Sequence, residues 1–91
     1  MAVEHNELAD LAGVQIDADR WYAHVLDLAD DGSWLETTDA FRYAPHPDDR
    51  TKVATWRSND VLIVDRSGLG RAYGWKLHHR EFDEDVRAEV M

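Results

Sequence analysis

Histidine and carboxylate are the side chains here best able to do chemistry: five His stand at positions 5, 24, 46, 78 and 79 among 19 acidic residues. Such groups ligate metals or relay protons. Their spacing argues against both. His78 and His79 point to opposite sides of a strand, no HExxH sequence occurs, and no two His lie four apart on a helical segment. His24, Asp27 and Asp31 share one face of a helix, which an ordinary exposed polar face explains. Nucleophilic catalysis has no better footing, because Ser33, Ser58 and Ser67 stand in turn contexts without a strand-to-helix elbow. The run VLIVDRSGLGRAYG, residues 61–74, sets a strand before Gly68 and Gly70. Tyr73, however, takes the third-glycine place of a dinucleotide-binding loop, and only 17 residues follow Gly74. The expectation is no catalytic residue, no metal and no cofactor.

Charge carries more information. Residues 1–49 hold 12 acids against 2 bases, residues 50–80 hold 7 bases against 2 acids, and residues 81–91 hold 5 acids against 1 base, for a net charge of −9. A chain sorted in this way presents faces of opposite potential. On the acidic side, Glu7, Asp10, Asp17, Asp19, Asp27, Asp30 and Asp31 fit a helical face that engages a basic partner protein, with carboxylates standing in for the phosphates of nucleic acid. On the basic side, Trp56, Arg57, Arg66, Arg71, Tyr73, Trp75 and Lys76 interleave cations with aromatic rings, as sheets that stack bases and pair phosphates do. Because −9 opposes a polyanion, a non-enzymatic protein-binding module or inhibitor is the first expectation and direct nucleic-acid binding the alternative. A third reading treats the acidity as the solvation device of a salt-adapted housekeeping domain, since Asp outnumbers Glu and Arg outnumbers Lys.

The elements that position these residues must come from one domain, residues 1–91, with 44% hydrophobic residues to fold and no Cys to staple it. The N-terminal MAVEHNELADLAG has acids where a signal peptide needs bases, and no apolar run reaches the ~18 residues of a membrane span, so a cytoplasmic protein is expected. Residues 4–12 predict a short helix ending at Gly13. Residues 18–31 predict a longer one, with Asp17 as N-cap, Gly32 as stop, and Trp21, Tyr22, Val25, Leu26 and Leu28 facing a sheet. Asp27, Asp30 and Asp31 then fall at the negative end of that helix, where stability alone favours cations.

After Gly32 short β-branched and aromatic runs predict strands: residues 34–43, Thr51 to Arg57, a buried Val61–Val64, and Arg71 to His78, with turns at 58–60 and 67–70. Phe82, Val86 and Val90, spaced by four, predict a short terminal helix. The fold expected is α+β, two N-terminal helices packed on a three- to four-stranded antiparallel sheet with a short C-terminal helix. Leu8-Ala9-Asp10-Leu11-Ala12-Gly13-Val14 also resembles the first helix and turn of bacterial helix-turn-helix regulators. That resemblance covers seven residues and implies that the next helix enters the major groove of DNA. The corresponding stretch, Gln15 to Trp21, brings Asp17 and Asp19 against phosphate, so the resemblance implies a degenerate version of the motif.

Overall fold

A period of two, rather than a helical stripe, organises the chain in the computed structural model, which describes residues 13–91. β1 (Gln15–Asp17), β2 (Arg20–Leu28), β3 (Leu35–Thr37) and β4 (Arg42–Pro45) follow one another as hairpins. A 3-10 turn (Pro47–Asp49) then runs into a single helical turn, α1 (Arg50–Val53), and β5 (Val61–Asp65), β6 (Trp75–His79) and β7 (Glu84–Val90) make a second meander. β5 pairs with β2 and β7 pairs with β4, so the six strands β2-β3-β4-β7-β6-β5 close into an antiparallel barrel. β1 adds to β2 outside that ring.

Closure fixes which side chains face inward. Ala23, Val25, Leu35, Tyr43, Leu62, Val64, Leu77, Val86 and Ala88 are buried, and they fill the interior as side chains do in small barrels. Asp39 organises one mouth: its carboxylate accepts hydrogen bonds from the Trp21 indole N–H (2.9 Å), the Tyr43 hydroxyl (2.8 Å), the Thr37 hydroxyl and the Phe41 N–H. Burial, followed by the Asp39 charge, pushes the Tyr43 hydroxyl far above its usual pKa, so it stays a proton donor. His79 organises the other mouth. Its Nδ1 accepts the Phe82 N–H, so Nε2 carries the proton and donates to Asp60 (2.7 Å), while Phe82 stacks on the imidazole at 4.3 Å.

Several expectations are corrected. The helix expected over residues 18–31 is the strand β2 with its flanking turns, and the terminal helix expected through Phe82, Val86 and Val90 is β7. The molecule is therefore mostly β, not α+β, and the three- to four-stranded sheet is a closed barrel. The cause is a shared spacing: positions four apart lie on one side of both a helix and a strand, so Trp21/Val25 and Val86/Val90 satisfy either period. Thr51 to Arg57, expected as a strand, holds the end of α1 and a turn. The strand expected over 34–43 is two short ones, β3 and β4. Gly32, expected to stop a helix, turns β2 toward β3 at φ 75°, where a Cβ would meet the Arg50 carbonyl oxygen at 2.0 Å. The helix expected over 4–12 lies outside the described residues. Val61–Val64 is a strand as expected, but Ile63 is half-buried on its outer side; of the strand expected over Arg71 to His78 only Trp75 onward is β6, with Trp75 and Leu77 on its inner face. No helix among the described residues is long and apolar enough to cross a membrane.

Candidate functional site

The barrel interior is filled with side chains, and among the described residues the outer wall is hollowed over β5, β6 and the loop between them. This loop folds back on itself because Gly68 and Gly74 touch backbone to backbone: a Cβ on Gly74 would lie 1.9 Å from the Gly68 oxygen. The contact holds Arg71 and Tyr73 beside the start of β6. A hollow of about 260 Å³ results, lined by Arg71, Tyr73, Trp75, Lys76 and Arg87 with Asp65 and Ser67 at its edge. A second hollow, of about 270 Å³, lies over Arg20, Ile63, Asp65, Lys76, His78 and Asp85. The two share Asp65 and Lys76, so they adjoin across the sheet, and the pair is called the groove below.

Electrostatics within the groove are mixed. Asp17 holds Arg20 at 2.7 Å, and Asp49 holds Arg87 at 3.0 Å. The Arg20 hydrogen bond, reinforced by the Asp19 N–H, lowers the Asp17 pKa, and Arg20 is raised in turn. For Asp49, burial raises the pKa, but the Arg87 side-chain and backbone hydrogen bonds, with the charges of Arg87 and Lys52, outweigh it and hold the group below its ordinary value. Asp65 follows the same logic, with burial opposed by Ser67, Lys76 and Arg20. Among the described residues Arg71 and Lys76 stand in no ion pair.

Arg71, Tyr73, Trp75 and Lys76 of the basic and aromatic set are thus brought together, whereas Trp56, Arg57 and Arg66 are not. Trp56 is buried against His79, its indole N–H donating to Glu84 at 2.7 Å. Arg57 lies in the turn before β5, and Arg66 faces Asp19 at 3.5 Å with its guanidinium 5.8 Å over Trp21. Even Trp75 is largely wedged among Trp21, Phe41 and Tyr43, and Tyr73 rests against His46.

The acidic set is scattered by the loss of its helix. Asp17 ends β1 and Asp19 lies in the turn to β2, each facing an arginine, while Asp27 lies near the far end of β2 and Asp30 and Asp31 in the turn beyond it. Glu7 and Asp10 lie outside the described residues. His24 is buried and Asp27 exposed, so the suspected His24–Asp27–Asp31 face does not form. Among the described residues no three His, Asp or Glu side chains gather as a metal site. Sequence reasoning missed Arg20, Ile63, His78, Asp85 and Arg87, although strict alternation from Glu84 to Val90 was there to expose the last two. No protein-family model, curated protein or solved structure matches this chain.

Proposed function

We propose that this protein is a non-enzymatic binding module that receives an anionic chain, single-stranded nucleic acid, in the groove over β5 and β6. The observation that carries the proposal is the convergence of Arg71 and Lys76, cations without an ion pair among the described residues, on one concave wall with Arg20 and Arg87. A net charge of −9 opposes the encounter at long range. At physiological salt, however, charges beyond about 8 Å are screened, so the cations lining the groove dominate close contact. The proposal carries a cytoplasmic location.

Its test is a gel shift or anisotropy titration of single-stranded DNA across a salt series. Each phosphate contact on a single strand contributes about 0.7 to the slope of log K against log salt. Arg71→Ala with Lys76→Ala is expected to weaken binding and flatten that slope by about 1.4. Absence of any shift at low salt rejects the proposal.

One observation favours a second reading, in which the acidic end of the β2–β3 hairpin engages a basic protein. Asp27 sits directly opposite Glu36, and like charges in that register destabilise a sheet. Asp30 and Asp31 extend the cluster, whose charge the Arg42–Glu36 pair at 3.7 Å and the nearby Arg50 offset in part. In this reading Asp27→Asn, Asp30→Asn and Asp31→Asn together abolish capture of a basic partner and leave nucleic acid unbound throughout.

A further inference from the structure

We propose that the groove orients a single strand at right angles to the barrel strands, with its phosphates over one cross-strand row of side chains and its bases against the next. This inference rests on the nucleic-acid reading of the groove. Pairing register aligns Arg20 with Asp65, Asp65 with Lys76, and Lys76 with Arg87, one charged row over β2, β5, β6 and β7. The same registers align Tyr22 with Ile63, Ile63 with His78 and His78 with Asp85. At about 4.8 Å between strands and 3.3 Å per residue, the charged row is about 14 Å long and its neighbour lies about 7 Å away.

The charged row cannot hold a ligand alone. Asp17 occupies Arg20, Asp49 occupies Arg87, and Asp65 sits between Arg20 and Lys76. Attraction is left mainly to Lys76 and Arg71, so most of the affinity must come from the second row. That row is built for stacking. Ile63 offers a half-buried apolar surface, and the His78 ring is oriented by Asp85 on Nδ1 (2.8 Å) and Asp83 facing Nε2 (3.5 Å). At the row's other end Tyr22 lies beneath the Arg80 guanidinium, 5.9 Å from the ring. Aromatic stacking of this kind contributes more per nucleotide than one screened phosphate contact and requires unpaired bases. A duplex, whose bases are already stacked, gains nothing from it.

Competition titrations of a labelled oligothymidylate against duplex DNA, inorganic polyphosphate and polyglutamate test the arrangement. Expected results are preference for the single strand over all three competitors, a loss of at least about five-fold in its affinity on His78→Ala, recovery on His78→Phe, and no change in the weak affinity for polyphosphate. Stronger binding on Asp65→Asn is expected as well, because the carboxylate in the charged row is removed. If polyphosphate or polyglutamate competes as well as the oligonucleotide, or His78→Ala changes nothing while Arg71→Ala with Lys76→Ala weakens binding, the stacking row is overturned and the groove reading stands. If the oligonucleotide does not bind at all, both fall together.

Discussion

Asp49 illustrates how single residues hold the barrel wall. Its side chain is 7% exposed, accepts the Arg87 N–H at 2.9 Å and the Arg87 guanidinium at 3.0 Å, and so ties the chain before α1 to β7. Asp49→Asn keeps an amide oxygen able to accept the Arg87 N–H but removes the charge that strengthens that bond and makes the ion pair, and is expected to cost about 1 kcal/mol near neutral pH. Since the folded pKa is held below the unfolded value, this stabilisation is present above the ordinary carboxylate pKa of about 4 and is lost as pH falls through the lower folded value. Urea titrations of both proteins should therefore diverge at neutral pH and converge in acid. A gap that persists at the acid end contradicts the assignment. Arg87 looked in the sequence like one base in an acidic tail, because nothing local announces a partner 38 residues away.

At the scale of elements, β2 was the hardest to read. Trp21 and Val25 satisfy both periods, so the decision rests on Leu26, which the helix reading faced toward the sheet, and on Ala23, which is not among the residues it faced there. Ala23 is fully buried and Leu26 is 52% exposed. Ala23→Leu is therefore expected to overpack the barrel and cost about 1–3 kcal/mol, while Leu26→Ala costs less than about 0.5 kcal/mol. Chemical denaturation of the two variants returns the reverse order only if the segment is helical. Two signals pointed the right way: the β-forming run Arg20–Val25, rich in Trp, Tyr and Val, and three Asp where a helix would want cations. β5 was legible because four consecutive apolar residues between turns fit a buried strand. The contiguous Arg71–Lys76 part of the site was legible for the same local reason. Arg20, His78 and Arg87 were not, since they meet only through pairings between strands far apart in the chain.

On the scale of the whole molecule, two three-stranded meanders, β2-β3-β4 and β5-β6-β7, are joined at both flanks. Their closure crowds carboxylates, and moderate salt is expected to raise the melting temperature by a few degrees by screening repulsion over about 10 Å. A flat or falling melting temperature in a salt-series scan rejects self-repulsion as the main electrostatic effect, and a requirement for molar salt to fold favours the solvation reading of the acidity. Closure also sets an order of events during synthesis. Among the described residues β4 pairs only with β3 and β7, so during synthesis one flank of β4 stays open until residues 84–90 have emerged. Open flanks invite neighbouring nascent chains to add as extra strands. The half that waits is the acidic one, with 12 acids against 2 bases over residues 1–49. Like charge on two such chains opposes their pairing, and a chain arrested before Glu84 should stay open to protease until β7 is released to close the ring.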